Sequence, residues 1–313
     1  MKLQSLRDRP SPALAQALAD FESRFTYPLG PGRSFRISHG DDYPRFFRSM
    51  GSATCFVAEQ VGRVTGTLSV AIRTVMTADG GTVQAAYIGD LKVDPAARGS
   101  LAFIRLARNA DRWARPQVQA AFGVVMDGTR ASPTEYTGRI GVPAFLEIGK
   151  IVVLRFATAI ESEDRRLVAP AAQGEACHLA MTRGRFVATG GDPAERSEIA
   201  PTWLVHPEGL ACGRLEDTHR AKRLIDNDGF EMKSAHLACF AWRTPRAASE
   251  LIQAACRHAA GLGLPALFVA VSRRDMLPLE TALGPVEKVI APATVYGAGL
   301  PGGADWNINS SEI

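Results

Sequence analysis

Apolar residues near the N-terminus recur at helical spacing. Ser11 followed by Pro12 is typical of an N-cap and a first helical position, and Leu14, Leu18 and Phe21 share one face of the helix that follows. The chain therefore opens with a predicted amphipathic helix.

Strand-like segments dominate the next part of the chain. Residues 34–40 predict a short strand, and residues 41–51 predict a helical segment that ends at Gly51. The runs "ATCFVAEQ" and "RVTGTLSVAIRTVM" are rich in β-formers, and the Val61-Gly62 pair between them is typical of a hairpin turn.

The pattern then changes from strand to helix and back to strand. It predicts a strand over 86–93, a tight turn, and a helix over 100–115 that Pro116 stops. "QAAFGVVM" predicts the next strand, a polar segment with a short helix follows, and "AFLEIGKIVVLRFA" predicts further strand with a bulge or turn at Gly149.

The second half of the chain repeats the first in outline. "AHLACFAW", "TPRAASELIQAACRHAAGLG" and "PALFVAV" again predict strand, helix and strand, and Pro95 and Pro245 hold matching places. A Gly-x-Leu core followed by arginine occurs in both halves, at Gly66, Leu68 and Arg73 and at Gly213, Leu215 and Arg220.

These repeats predict an α+β fold made of two tandem copies, each a mixed central sheet flanked by helices. We expect the first domain over residues 1–160 and the second, degenerate copy over residues 177–313. The charged and then Ala/Pro-rich stretch 161–176 is the predicted linker.

Composition narrows the classes of function. The chain has 313 residues with 46% hydrophobic content, and its net charge of +4 comes from scattered basic residues. This gives no support for nucleic-acid binding. With no apolar run of signal-peptide or membrane-helix length, we expect a cytoplasmic protein without a membrane partner.

The cysteines and histidines show no metal-site spacing. The five cysteines form an odd set without a CxxC pair, and the six histidines include no pair at ligand spacing. We expect neither a metal nor a disulfide framework. A homodimer through an exposed strand edge is possible.

The turn before the predicted helix 100–115 has the physical features of an anion site. The first N–H groups of a helix lack partners inside it, and the helix dipole makes that end partly positive. Arg98 would add a fixed charge. Taken alone, the same residues also suit an ordinary turn with Ser100 as an ordinary N-cap.

The longer stretch "YIGDLKVDPAARGSLAFIRLARNADRWA" resembles the strand, pyrophosphate loop and helix of the GNAT superfamily of acyl-CoA N-acyltransferases. The element order over residues 34–157 fits that fold. Arg98 meets the first position of the family pattern R/Q-x-x-G-x-G/A, whereas Leu101 and Phe103 replace its two later small residues.

The resemblance implies acetyl-CoA as co-substrate and no metal. It places backbone groups of two strand residues against the pantetheine arm, namely Leu91 and Val93. It surrounds the pyrophosphate with a loop and helix start, namely Arg98, Gly99, Ser100, Leu101 and Ala102.

The resemblance also implies catalytic candidates. GNAT enzymes commonly use a tyrosine after the fifth strand as general acid, and Tyr136 lies close to that position, although a tyrosine with a surface hydroxyl is an equal alternative. A carboxylate base often stands where this chain has Gly89. Asp90 is adjacent, but strand alternation turns it to the opposite face unless a bulge rotates it, and Asp127 and Glu135 are further candidates.

Three functions remain in order of preference. The first is an acetyltransferase that acts on a small-molecule or peptide amine. The second is a catalytically degenerate GNAT-like module that binds a ligand or partner. The third is a transferase that uses acyl groups on larger carriers, which the doubled architecture alone supports.

Overall fold

The computed structural model describes residues 1–28, 34–97, 101–129, 131–139, 141–158 and 167–313. The helices are α1 (Pro12–Glu22), α2 (Arg45–Arg48), α3 (Ala102–Ala114), α4 (Pro133–Tyr136), α5 (Ala171–Met181), α6 (Pro193–Arg196), α7 (Pro245–Gly261) and α8 (Met276–Leu283). Short 3-10 turns cover Pro95–Ala97, Arg273–Asp275 and Ser310–Glu312.

The strands alternate with these helices along the chain. They are β1 (Lys2–Leu6), β2 (Tyr27–Pro28), β3 (Ser34–Ser38), β4 (Ala53–Gln60), β5 (Arg63–Met76), β6 (Thr82–Val93), β7 (Ala120–Met126), β8 (Leu146–Ala157), β9 (Val168–Ala169), β10 (Phe186–Thr189), β11 (Thr202–Val205), β12 (Ala211–Glu216), β13 (Arg223–Asp226), β14 (Ala235–Trp242), β15 (Ala266–Ser272), β16 (Lys288–Ala298) and β17 (Trp306–Asn307).

One long mixed sheet runs through both halves of the chain. Its order is β1-β4-β5-β6-β7-β16-β8-β15-β14-β12-β11-β9, with β10 and β17 attached beside β5. Strand β16 comes from the C-terminal half, yet it lies between β7 and β8 of the N-terminal half. Each half therefore depends on the other to complete its part of the sheet.

The predicted tandem repeat is visible in the sheet. In the first copy α3 joins the parallel strands β6 and β7, and in the second copy α7 joins the parallel strands β14 and β15. The predicted α+β architecture with a mixed sheet and flanking helices is confirmed. No described helix has both the length and the apolar composition needed to cross a bilayer.

Several predicted elements occur with shifted ends. The hairpin between β4 and β5 turns at Val61 and Gly62, both with positive φ of 50° and 73°. Strand β6 begins at Thr82, before the predicted position 86, and α3 begins at Ala102. Helix α5 begins at Ala171, inside the stretch predicted as linker, while residues 159–166 of the chain lie outside the described ranges.

The three largest apolar clusters of the described residues lie on both faces of the sheet. The first packs α1 and α2 on one face, the second packs α7 and α8 on β8, β14 and β15, and the third lies under α3 on the opposite face of β6. The first cluster contains a file of buried rings, in which Trp306 lies between Phe122 and Phe186 at centroid distances of 5.1 and 5.2 Å. This row of rings forms part of the buried core of the first copy.

Candidate active site

A bulge in β6 sets the geometry of the first copy. The register between β5 and β6 shifts at Thr67, opposite this segment, and Asp90 has a φ of +51°. The Thr67 hydroxyl donates to the carbonyl oxygen of Asp90 at 3.0 Å, which holds the distorted backbone. A left-handed non-glycine residue costs on the order of 1–3 kcal/mol and persists only where its surroundings impose it.

Strand alternation predicts that Asp90 faces away from Gly89, and the bulge makes this prediction wrong. A Cβ built on Gly89 would lie 2.9 Å from the Phe47 ring, so residue 89 faces α2. The Asp90 carboxylate accepts a hydrogen bond from Tyr43, which precedes α2 directly. Asp90 therefore shares the α2 face with its neighbour, because the bulge breaks the alternation of β6 at this point.

Strands β6 and β7 diverge next to the bulge. Their parallel register covers only Ala85 to Tyr87 against Ala120 to Phe122, while β7 continues along β16 to Met126. Among the described residues, no strand pairs with β6 on this side beyond Tyr87. We call this gap, between β6 from Gly89 to Val93 and the end of β7, the β6–β7 opening.

The edge of β6 offers backbone groups to this opening. The Asp94 N–H donates to the Thr65 carbonyl at 2.9 Å, so this residue points toward β5. Because alternate residues of a strand direct their N–H and C=O groups to opposite neighbours, Val93 and Leu91 direct theirs toward the opening. These are the two residues predicted to contact a pantetheine arm.

The start of α3 lies beyond the same end of β6. Arg98, Gly99 and Ser100 fall outside the described residues, so their predicted place at a pyrophosphate stays a prediction. Leu101 precedes the helix with its side chain 56% exposed, and the Ala102 side chain is buried. The side chain of Leu101 thus extends into solvent at the helix start.

Tyr136 lies at the end of α4 and packs against α3. Its ring meets the Phe103 ring edge-on at a centroid distance of 5.3 Å. Burial, with Tyr296 and Glu135 nearby, raises the pKa of Tyr136 to about 12. The phenol therefore stays protonated at neutral pH and is able to donate its proton or a hydrogen bond.

The two alternative carboxylates have structural partners. Glu135 accepts a hydrogen bond from the Ser132 backbone N–H at 3.2 Å, as part of the cap of α4. Asp127 accepts from the Thr294 hydroxyl at 2.8 Å, which ties the end of β7 to β16. Both stand on the side of the sheet that carries Tyr136.

Tyr296 is a further candidate residue that no sequence pattern indicates. It lies on β16 directly opposite Gly123 of β7, and burial together with Glu147 and Asp127 raises its pKa. Its sequence position assigns it to the second copy. Only the insertion of β16 beside β7 brings it next to Tyr136, and no local pattern announces that insertion.

A buried charge cluster surrounds Asp90. We use the name Asp90 cluster for five residues: Glu22, His39, Tyr43, Asp90 and Lys92. The Glu22 carboxylate contacts His39 Nδ1 at 2.6 Å and Lys92 Nζ at 3.2 Å, and Lys92 also contacts Asp90. Tyr43 donates to the other oxygen of Asp90, so both carboxylate oxygens are engaged.

These contacts shift the protonation equilibria of the cluster. Burial acts to raise the pKa of Glu22, but His39 and Lys92 outweigh it and hold this pKa at about 2. Burial likewise opposes the Lys92 ammonium, while Asp90 and Glu22 raise its pKa. Glu22, His39 and Asp90 each bring one potential metal-ligating atom within 4.8 Å of the others. The Lys92 ammonium contacts both carboxylates, so the cluster already holds a positive charge of its own.

A second set of buried charges fixes residues 306–313 against the first copy. Glu312 pairs with Arg73 at 3.1 Å and with Arg196 at 3.4 Å, and Arg196 also pairs with Glu216 at 2.6 Å. The Tyr87 hydroxyl donates to the Glu312 carbonyl at 2.7 Å. This segment therefore runs past the point where β6 and β7 separate.

The second copy has a matching bulge, and segment 306–313 of the same chain bonds to it. Cys239 on β14 has a φ of +49°, and the parallel register of β14 and β15 covers only Ala235 to Leu237. Asn309 accepts from the Cys239 N–H at 2.8 Å, and Asn307 donates to the Phe240 carbonyl at 2.7 Å. Side chains of segment 306–313 thus satisfy the backbone at this gap.

Because of the Asp90 cluster, we expect the folded protein to lose stability at acid pH. Because the pKa of Glu22 is lowered from 4.5 to about 2, its stabilising contribution is present above pH 4.5 and is lost as the pH falls toward 2. Glu22→Gln should reduce the free energy of unfolding at pH 7 by about 3 kcal/mol, because it leaves His39 and part of Lys92 without their buried partner. In urea denaturations at a series of pH values, the variant should also lose less of its free energy of unfolding than wild type as the pH falls from 4.5 toward 2.

Asp41→Asn is the matched control, because Asp41 pairs with Arg9 at the surface with 68% of its side chain exposed. It should change the free energy of unfolding by less than about 0.5 kcal/mol. Equal loss of stability in the two variants would contradict the assigned strength of the buried pair.

A scan against protein-family models and a search of curated proteins give no match to this sequence. Solved structures do match. N-myristoyltransferase from Saccharomyces cerevisiae with bound myristoyl-CoA superposes with a TM-score of 0.62 at 11% identity, over 99% of this chain and 87% of that chain. A second structure of that enzyme with bound myristoyl-CoA gives a TM-score of 0.61 at 10% identity, over 99% and 82%.

A probable N-acyltransferase from Enterococcus faecalis V583 matches over 95% of this chain and 72% of that chain, with a TM-score of 0.51 at 9% identity. At these identities the likeness is one of fold. The chain shares the fold of these acyltransferase structures.

Proposed function

We propose that this protein is an acyl-CoA-dependent N-acyltransferase that moves an acetyl group from acetyl-CoA to an amine by direct attack. The observation that carries the proposal is the contrast between the two bulged strands. In the second copy Asn307 and Asn309 satisfy the backbone, whereas in the first copy the edge of β6 at Leu91 and Val93 faces an opening where no strand of the described ranges pairs with it. Backbone polar groups in such a place need partners, and an amide-bearing arm supplies them.

The co-substrate would lie along β6 toward α3. In this proposal Leu91 and Val93 bond the pantetheine amides. The pyrophosphate lies at the helix start and is held by Arg98, Gly99, Ser100, Leu101 and Ala102. The N–H groups of the first turn of α3 provide partial positive charge there, and Arg98 adds a full one. We also propose that the first copy ends near residue 160 and that the second begins near residue 177.

The closed end of the opening favours a short acyl group. A pantetheine arm that runs from α3 along β6 brings its thioester to Tyr87 and Phe122, the last paired residues. Their rings stand 5.4 Å apart, and Trp306 and Phe186 continue the file of rings behind them. All four are buried, so a chain much longer than acetyl must displace close-packed aromatic rings.

The chemistry requires one nucleophile and two proton transfers. The neutral amine attacks the thioester carbon, the new C–N bond forms, and the C–S bond breaks to release CoA thiolate. We propose that Tyr136 donates a proton to that sulfur, because its phenol is protonated at neutral pH. Asp90 supplies a fixed negative charge beside the thioester, where a positive charge develops on the attacking nitrogen. The acceptor is a small-molecule or peptide amine.

A degenerate binding module is the second candidate. It is favoured by Leu101 and Phe103 in place of the small residues of the phosphate loop, and by the engagement of both Asp90 oxygens. In that case the protein would bind acetyl-CoA without releasing thiol. Turnover across a panel of amines separates the two candidates.

Calorimetric titration with acetyl-CoA tests the binding part of the proposal. The wild type should bind, and Arg98→Ala should weaken binding by about 10- to 100-fold through loss of a charge-assisted hydrogen bond to phosphate. Arg112→Ala is the control, because Arg112 lies in the last turn of α3, away from the pyrophosphate end. Myristoyl-CoA should bind no more tightly than CoA itself, because its acyl chain would have to displace the buried aromatic rings.

No heat of binding with acetyl-CoA at millimolar concentration would contradict the proposal. Unequal results have separate meanings. Tighter binding of myristoyl-CoA than of acetyl-CoA would overturn the acetyl assignment alone, and equal affinity of Arg98→Ala and wild type would overturn the place of the pyrophosphate.

Tyr136→Phe tests the assignment of the acid. It should lower kcat by about 100-fold with little change in the KM for acetyl-CoA, because the lost hydroxyl acts in the transition state. The measurement is thiol release with an amine that the panel identifies. Glu250→Gln is the control, because Glu250 pairs with Arg246 at the surface of α7, and it should keep kcat within about threefold; a kcat for Tyr136→Phe equal to that of wild type would remove Tyr136 from the mechanism.

A further inference from the structure

The outward face of α3 carries charge of one sign. The exposed residues between positions 101 and 115 are one apolar residue and four basic ones, namely Leu101, Arg105, Arg108, Arg112 and Arg115. Their spacing of three or four residues places all five in one stripe along α3 and its caps. We call this stripe the arginine face of α3.

The arginine face is unfavourable for the helix by itself. Its successive arginines lie three or four residues apart, and like charges at that spacing destabilise a helix. Asp111 pairs with Arg115 at 2.6 Å and offsets one of the four charges. The face therefore keeps a net positive charge, which a negatively charged partner would relieve.

The matching helix of the second copy, α7, has a different outer surface. Its exposed residues are Arg246, Glu250, Gln253 and Gly261. Arg246 pairs with Glu250 at 2.8 Å, so the two charges on this surface cancel. Of the two crossover helices, the one with charge of a single sign is thus the one beside the β6–β7 opening.

The arginine face adjoins the outer end of that opening. A Cβ built on Gly66 would lie 3.0 Å from Leu106 of α3 and 3.8 Å from Val93 of β6, so the second turn of α3 lies against the end of β6. From Val93 inward to Tyr87, β6 extends for about 20 Å at about 3.3 Å per residue. A donor that rests on α3 therefore reaches the closed end of the opening only through a long, narrow arm.

The start of α3 has less room for a pyrophosphate than the family pattern provides. Small residues in the pattern R/Q-x-x-G-x-G/A let a ligand come close to the backbone, whereas this chain has Leu101 and Phe103 at those positions. Phe103 packs on Tyr136, and the Leu101 side chain extends into solvent. An arm attached to a carrier protein has a single phosphodiester at its foot and no adenosine, so it needs less space there than CoA.

We propose that the arginine face of α3 docks an acidic carrier protein that holds an acetyl group on a phosphopantetheine arm, as a second acyl donor. The inference rests on the proposed function. Carboxylates of the carrier pair with the arginines, and an apolar side chain of the carrier covers Leu101. The arm enters the opening with its amides at Leu91 and Val93.

The transfer follows the same chemistry as with acetyl-CoA. The neutral amine attacks the thioester carbon, the C–N bond forms and the C–S bond breaks. Tyr136 gives its proton to the sulfur, which stays on the arm as a thiol, and the proton that the nitrogen loses restores the phenol. A protein carrier is favoured over a nucleic acid because the opening accepts an amide-bearing arm and because Leu101 adds an apolar contact in line with the charges.

The test uses the double variant Arg112→Glu/Arg115→Glu, which reverses the charge at the end of the face farthest from the opening. Arg246→Glu/Arg257→Glu on α7 is the control with the same change in net charge. Thiol release is measured with the amine that the panel identifies and three donors: a purified acidic acyl carrier protein loaded with acetyl-phosphopantetheine, free acetyl-phosphopantetheine, and acetyl-CoA.

The loaded carrier should be the donor that responds to the arginine face. Its kcat/KM should fall about 10- to 100-fold in Arg112→Glu/Arg115→Glu and stay within about threefold of wild type in the control. With the two small donors, both variants should stay within about threefold of wild type. Added salt should lower the kcat/KM of the loaded carrier more in wild type than in Arg112→Glu/Arg115→Glu.

Each outcome decides the inference. Equal kcat/KM of wild type and Arg112→Glu/Arg115→Glu with the loaded carrier overturns it, as does a loaded carrier that donates no better than the free arm. Thiol release from acetyl-CoA in the same assays leaves the proposed function intact. Calorimetric binding of an RNA hairpin that is tighter than that of the carrier, and lost in the same variant, assigns the face to nucleic acid and also overturns the inference.

Two further results separate the inference from the proposed function. Thiol release from the loaded carrier but not from acetyl-CoA supports the inference and removes acetyl-CoA as the donor. Absence of thiol release from all three donors overturns the proposed function and this inference together.

Discussion

The ion pair between Lys92 and Asp90 at the β6 bulge is the contact on which the site depends. It holds a non-glycine residue in a left-handed conformation, against a local cost of about 1–3 kcal/mol, because Tyr43 and Thr67 fix the same residue from two further directions. The bulge increases the local twist, and β7 follows β16 away from β6 just beyond it. The opening, the exposed backbone edge and the place of Asp90 on the α2 face all follow from this distortion.

The same strand bulge has different surroundings in the two copies. Asp90 and Cys239 occupy matching bulges, each on a strand followed by a crossover helix. In the second copy the chain supplies Asn307 and Asn309 to the bulged strand, and segment 306–313 then continues to Tyr87 of the first copy. The second copy therefore completes the structure of the first. This role accounts for the insertion of β16 between β7 and β8.

Local chemistry in the sequence is sufficient for the elements and the fold class. The Val61-Gly62 turn, helix α7 and the strands around α3 are encoded by a few neighbouring residues, and their prediction is confirmed. The positive φ of Asp90, the pairing of β16 and the influence of Tyr296 on the pKa of Tyr136 depend on residues far apart in the chain.

Hydrogen–deuterium exchange with and without acetyl-CoA tests the central claim most directly, because it compares the two bulged strands in one sample. If the open edge of the first copy binds the co-substrate, the amides of Leu91 and Val93 should gain protection at saturating acetyl-CoA. The amide of Cys239, which already donates to Asn309, should not change. Unchanged exchange at Leu91 and Val93, or protection confined to β14, would contradict the account.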